Sequence, residues 1–491
     1  MTEVFLRAPR AEGGTVRFEW KTAPRTALYV EEQATFELPA GLDAGALPDA
    51  LLWRVLLLLL HSQWALLRPC RVHLPVRLPR GEARGWERLV EAEIVTLEAI
   101  AGIAPTGDGV EIVEEGPALA DGPAPGNRTA AAFSGGKDSL LQAALLSEIA
   151  PDSRPVLVTT TSPMPGLHDH QTARRRRVLE EIPRRLPVEV VEVVSAFRSN
   201  LDHGFAQKLG YPISVNETTD TFLYTASLVL AGYLRGANRF FLASENEVQE
   251  NSDLAGRTVQ HPHFMYSVAT QAALSRLLGV SFGSLISPLH SYQVQALLVS
   301  RYPGVADLQY SCWRVGPGES ACSRCSQCLR VAVTSLAAGG SPRRAGIDPA
   351  VLFPAMRDWR PRRAGPAASP SERVSERLHG AIVDAVQRAG VVKLVWSIFT
   401  GAPRRLLSPD AWKAAGACAA LWKALRAGAV PPPPGLRPGY LEFVDGTVRG
   451  PVEEIYRRSF RAEEDGGSAA ALARTRELAS WIVAPLEIDA A

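Results

Sequence analysis

Residues 134–139 read Ser-Gly-Gly-Lys-Asp-Ser, and these six residues constrain the fold of the chain more than any other stretch. An apolar run, 130–133, precedes them, and another, 140–146, follows. The first predicts a short buried strand ending at Phe133, the second a helix with an apolar face. Paired glycines, Gly135 and Gly136, let the backbone turn tightly and aim several N–H groups at one point. The start of the helix adds partial positive charge there. Ser134 and Ser139 bring hydroxyls, Lys137 a cation, and Asp138 a carboxylate able to hold Mg²⁺. Such a turn is a cradle for pyrophosphate. It is not a Walker A loop, which needs four residues between its first Gly and the Gly-Lys-Ser/Thr. A glycine turn with no ligand is the plain alternative.

A second signal lies downstream. Cys312, Cys322, Cys325 and Cys328 form C-x9-C-x2-C-x2-C. Overlapping C-x2-C turns place three sulfurs around one point, and Cys312 closes a tetrahedron across the Gly-Pro-Gly loop. Four thiolates with no spare ligand describe a closed, structural Zn²⁺ site. An iron–sulfur cluster, uncoordinated thiols and disulfides are the other readings. Cys70 and Cys418 stand alone in apolar contexts and read as buried bystanders.

The hexapeptide resembles the PP-loop of the ATP pyrophosphatases, S-G-G-x-D-S. Loop and cysteine set together resemble the 7-cyano-7-deazaguanine synthases, the QueC-like branch of that superfamily. Shorter matches lie between them. Residues 217–222, ETTDTF, open an apolar helix where the family has a polar helix start facing its substrate. Residues 240–247, FFLASENE, read as a buried strand with a polar end, where the family has G-x-N. Residues 286–290 precede a helix leading to the cysteines. The resemblance covers roughly residues 126 to 340, a little under half of the chain. It breaks where the family runs to Y-P-D-C-R and this chain reads ENEVQENSDLAGRTVQHPHF, and where Ser291-Tyr292 replaces a threonine–lysine pair. The purine-like substrate pocket is therefore expected to be rebuilt around retained ATP and metal parts.

The resemblance implies an α/β fold with a parallel sheet and helices on both faces. It also implies ATP cleavage between the α and β phosphates, with Mg²⁺ near Asp138 and Zn²⁺ on the four cysteines. Lys137, Asp138 and Ser139 would be catalytic; Phe133, Ser134, Gly135, Gly136 and Thr159 would join them in holding the nucleotide. The acyl substrate would be 7-carboxy-7-deazaguanine or a relative. Its adenylate would be attacked by ammonia, or by an amine on a partner protein, to give an amide or nitrile. His168, Asp169 and His170 follow the second strand, where the family carries a histidine; Glu217, Asn246 and Glu247 flank the expected cleft. Ordinary hydrogen-bonded histidines and a solvated Glu247 are the alternatives. QueC-like proteins with extra domains occur in anti-phage defence, so a specialised pathway is implied. A tRNA-thiolating enzyme and a non-catalytic nucleotide-binding scaffold are the competing functions.

The 491 residues suggest two or three domains. Strand-like and helix-like stretches over 1–125 suggest an α+β domain, with strands expected at VFLRAP, TVRFEWK, ALYVEE, ATFELP and RVHLPVRL. Alternating strands and helices over 126–340 predict a parallel sheet whose strand ends share one cleft. Residues 341–371 read as a Pro/Arg-rich linker, and 372–491 as a helical domain with helices over 372–400, 409–428 and 469–483. A net charge of +2 gives no global push toward nucleic acid or anionic membrane. Arg174–Arg177 read as a solvated face, with docking of an acidic or nucleic-acid partner as the alternative. VLLLLL, residues 55–60, reads as a core helix, and Met1-Thr2-Glu3 begins no basic-then-apolar signal, so a cytoplasmic protein is expected. A homodimer is held open as the assembly.

Overall fold

The computed structural model describes residues 1–120, 122, 126–162, 169–211, 213–249, 251–254, 257–260, 266–310, 340–348, 351–352, 436–460 and 466–487. It also describes positions 312, 315, 319–325, 327, 328, 331, 332 and 335. The chain opens with β1 (Thr2–Leu6), β2 (Arg10–Glu12), β3 (Thr15–Ala23) and β4 (Gln33–Glu37). In β3 the period of two is plain: Val16, Phe18 and Trp20 are buried while Arg17 and Lys21 face water. Next come α1 (Asp49–Leu67), β5 (Cys70–Leu74), α2 (Glu82–Ala101) and β6 (Val110–Glu114). The stretch ALYVEE does not form the expected strand. Leu28 and Tyr29 are instead buried in a turn, where Tyr29 packs edge-on against Trp20 and makes one bridge to Leu201.

The second part alternates as expected: β7 (Arg128–Ala132), α3 (Lys137–Ile149), β8 (Val156–Thr161), α4 (Asp169–Arg185), β9 (Glu189–Ser195), α5 (Phe205–Lys208), α6 (Val215–Leu234) and β10 (Ala237–Phe241). A small hairpin, β11 (Asn251–Leu254) with β12 (Arg257–Gln260), leads to α7 (Val268–Leu278) and β13 (Ser281–Gly283). Then follow α8 (Ser291–Ser300), α9 (Pro303–Ala306), α10 (Gly446–Ser459) and α11 (Gly466–Glu487).

One mixed sheet runs β13-β10-β7-β8-β9-β4-β3-β1-β5-β6, with β2 paired to β3. From β13 to β9 every pairing is parallel. In chain order these strands are fifth, fourth, first, second and third, so the winding reverses between β7 and β10. That reversal is a topological switch point, where the helices flanking two neighbouring strands lie on opposite faces and leave a crevice.

The N-terminal strands are not a separate sheet. β4 pairs antiparallel with β9, Phe36 opposite Ser195 and Glu37 opposite Val194, which splices 1–125 onto the parallel half. One hydrophobic core runs from Val4 through α1, α2, α6 and α7 to Ile482 of α11. A second core, on the opposite face, joins α3, α8, the cysteines and α10. Alternation in β7 serves both: Ala130 faces the first core, Ala131 the second. Of the C-terminal region, α11 packs on α2 and α7, with Trp481 O accepting from Arg88 at 2.5 Å. Residues 353–435, which contain most of the expected linker and two of the expected helices, lie outside the described residues.

Among the described residues α1 is the one helix long and apolar enough to cross a membrane, and it is almost wholly buried against α2, α6 and α7. Arg54 and Arg68, near its two ends, pair with Glu82 and Glu98 of α2 and fix the two helices in register. His61 sits at its centre with no exposure, Nδ1–H donating to Leu58 O at 2.9 Å and the ring edge-on to Phe222 of α6. Burial lowers the His61 pKa to about 4. The unfolded chain thus takes up a proton near pH 6.5 that the folded chain refuses until about pH 4, and stability falls as pH drops through that window. His61→Leu removes this term. Its destabilisation, measured by urea unfolding, is therefore expected to be about 2 kcal/mol smaller at pH 5 than at pH 7.5.

Candidate nucleotide-binding cleft and metal centre

The turn between β7 and α3 lies at the switch point. Ser134 to Gly136 leave the strand, and α3 begins at Lys137 with Gly136 as its N-cap. Gly135 adopts φ +78°, a left-handed backbone that disfavours side chains. A Cβ there would lie 3.2 Å from Val178 Cγ1 of α4 and 3.5 Å from Tyr310 Cβ. Gly136 has φ −71° and no neighbour closer than Ser134 Oγ at 3.5 Å. Only the first glycine is demanded by the backbone.

Side chains lock the turn from within. Ser139 Oγ accepts from Ser134 N at 3.3 Å and donates to Gly136 O at 3.2 Å, and Ser134 Oγ lies 3.3 Å from Ser139 Oγ. First-turn amides of α3 have no acceptor within the helix, and Gly136 at the N-cap brings no side chain to cap them. Tyr310 braces it from outside, its N–H donating to Gly135 O at 2.6 Å.

A cleft of about 410 Å³ opens over this turn, in the range of small-molecule sites. Phe133, Ser134, Asp138 and Ser139 line it from the turn, Thr160 and Arg175 from the β8 side, and Ser244 and Glu245 from the end of β10. Thr221 and Tyr224 on α6, with Tyr266 and Tyr310, supply a wall rich in rings. The buried Lys137 ammonium is clasped by the carboxylates of Asp138 and Glu245. Burial, then the neighbouring Glu245 carboxylate, pushes the Asp138 carboxyl up, while Lys137 pulls it down.

Several expected residues converge here and others do not. Thr159 is buried under the rim, its hydroxyl accepting from Arg175. Asn246 points away: its Nδ2 donates to Ser287 O at 3.1 Å, and its Oδ1 accepts from Arg437 at 3.1 Å. His168 and the side chains of His170, Glu217 and Glu247 lie outside the described residues. The four-arginine run is not a uniformly solvated face. Arg174 is buried, and Arg175 reaches back into the cleft to Thr159 and Thr160. The run hides this because its helix has to be phased before any one arginine can be aimed. Thr221 and Tyr224, three apart on α6, share one face of the helix, a spacing that was open to sequence reading.

The four cysteine sulfurs all lie within 4.8 Å of one another. Pairs stand 3.9 Å apart for Cys312–Cys325, 3.8 Å for Cys322–Cys328 and 3.5 Å for Cys325–Cys328. The edge of a tetrahedron with Zn–S bonds of about 2.3 Å is about 3.8 Å, so the set can hold an ion such as Zn²⁺. Backbone N–H groups of Cys322, Arg324 and Cys328 point at sulfurs from 3.3–3.4 Å, and Ser323 takes φ +52° to make that turn. Such donors favour thiolates. Cys70, by contrast, is isolated, and burial pushes its thiol up to about 12. Cys418 lies outside the described residues.

Cys312 follows Tyr310 by two residues, so the metal centre and the brace on Gly135 share one short segment. No family model, curated protein or solved structure matches the chain. The cleft is therefore read from its own geometry.

Gly135→Ala is expected to lower stability by about 1–2 kcal/mol through the left-handed backbone alone. Gly136→Ala should cost less, and thermal unfolding of the two variants compares them directly. Removing the metal with a chelator, or Cys325→Ser, is expected to lower Tm by about 5 °C or more.

Proposed function

We propose that the chain is an ATP-dependent ligase of the PP-loop type, similar to the QueC-like enzymes, which adenylates a carboxylate and passes the acyl group to ammonia or an amine. One observation carries the reading. The Ser-Gly-Gly-Lys-Asp-Ser turn occupies the switch point of a 3-2-1-4-5 parallel sheet, with Ser134, Ser139, Asp138, Glu245 and Arg175 lining one cleft and the Lys137 ammonium clasped between the two carboxylates. The resemblance in sequence and the four-cysteine centre, read as Zn²⁺, support the QueC-like assignment.

In this reading the turn amides, Ser134 and Ser139 hold the departing pyrophosphate, and Lys137 neutralises its charge. Asp138 and Glu245 are placed to hold Mg²⁺, which supplies charge neutralisation along the triphosphate. Arg175, reaching from α4 to Thr159 and Thr160 of β8, faces the same space and suits the α-phosphate side. Thr221, Tyr224, Tyr266 and Tyr310 offer aromatic faces and hydroxyls for flat heterocycles, in keeping with a deazapurine carboxylate as acyl substrate. Adenylation makes the carboxylate oxygen a leaving group as AMP, and attack by an amine completes an amide. A specialised pathway such as anti-phage defence fits the flanking segments that compact relatives lack.

The reaction is tested by exchange of labelled pyrophosphate into ATP with a deazaguanine carboxylate present, and by mass spectrometry of products with ammonium added. Absence of both exchange and AMP would sink the proposal. Asp138→Asn is expected to reduce exchange by about a hundredfold or more. Its Tm should be unchanged or higher, because a half-buried carboxylate beside Glu245 is removed.

A further inference from the structure

Glu245 is presented to the cleft between neighbours that are themselves anchored. Ser244 is held by Ser284, whose Oγ donates to Ser244 O at 2.8 Å, and by Gln271, whose Nε2 donates to Ser244 Oγ at 2.8 Å. Asn246 is anchored through Ser287 O and through its own N–H to Leu289 O at 2.8 Å. Gln249 Nε2 donates to Glu245 O at 3.1 Å and fixes the turn that follows. Between two anchored residues Glu245 meets Lys137 across the switch point. Lys137 and Glu245 are largely withdrawn from water, with side chains 4% and 16% exposed, and Asp138 is 30% exposed.

Two carboxylates around one ammonium leave this cluster with one net negative charge, set where a polyphosphate would have to enter. A free nucleotide that finds Arg175 at the β8 side of the cleft still meets that charge, and a lysine already occupied, at the turn. A divalent cation across the carboxylates reverses the sign and frees Lys137 for the phosphates. With water partly excluded, such a reversal is felt more strongly than at an open surface.

We propose that Glu245 is a positioning residue that makes the cleft selective for the metal-loaded nucleotide: it holds Lys137 back until Mg²⁺ takes its carboxylate. This rests on the nucleotide reading of the cleft. The test is calorimetric titration of the full chain with α,β-methylene-ATP, with Mg²⁺ or with no added divalent ion, for wild type, Glu245→Gln and Lys137→Gln. Mg²⁺ is expected to tighten wild-type binding by about tenfold or more, the order of one charge-assisted hydrogen bond. Glu245→Gln should bind the metal-free analogue about tenfold more tightly than wild type and respond little to Mg²⁺. Lys137→Gln, which leaves both carboxylates, should bind the metal-free analogue more weakly than wild type. The proposal is overturned if Glu245→Gln keeps the wild-type ratio of metal-bound to metal-free affinity. Should Glu245→Gln not fold, unchanged metal-free affinity in Lys137→Gln overturns it instead. If wild type binds no analogue under either condition, the nucleotide reading falls and the Glu245 proposal falls with it; nucleotide binding with an unaltered ratio sinks only the latter.

Discussion

Helix α6 is buried on two sides, and the architecture follows from that. One side lies on β7, β8 and β10, the other under α1. Its sequence from Phe222 to Leu230 carries Leu, Val and Phe around most of the cylinder, so sheet contact alone would leave an apolar stripe in water. The N-terminal segment removes that stripe. α1 crosses over α6, His61 meets Phe222, and α2 closes over α1. Gly232 shows how tightly α6 sits on the sheet: a Cβ there would come within 2.9 Å of Ala130. Because α6 also brings Thr221 and Tyr224 to the cleft, the N-terminal layer holds one wall of the site without contributing a residue to it.

Local chemistry and long-range topology were legible to different degrees. The β7–turn–α3 unit, the strands β8, β9 and β10 and the core character of α1 follow from periodicity and glycine placement. The cysteine centre follows from spacing, since two C-x2-C turns bring sulfurs together whatever lies around them. The splice between β4 and β9 had no such signal. Val194 and Ser195 look the same in sequence whether the edge of β9 is open or paired, and pairing is decided by how Phe36 fits the shared core. That is why 1–125 reads as a unit by itself and folds as part of one sheet.

Within the site, glycines and charges announced themselves and geometry did not. Asn246 and Glu245 are neighbours beyond the end of β10, where a 3-10 turn begins at Asn246, and hydrogen bonds turn Asn246 inward while Glu245 meets the cleft. The sequence pattern favoured Asn246; the hydrogen bonds to Ser287 and Arg437 make it an anchor and leave Glu245 facing Lys137. Arg175 was similarly concealed among three other arginines, and only the packing of α4 on β9 and α9 aims it. The charged groups of the cleft come from the ends of β7 and β10 and from α4, so their balance is a property of the assembled fold.

The short stretch from Tyr310 to Cys312 ties a peptide carbonyl at Gly135 to a cluster of sulfurs on the second core. Both belong to one mechanical linkage. Loosening of the sulfur cluster would thus be felt at the Gly135 turn, about which the β7 end of the cleft is built, while most of the sheet stayed intact.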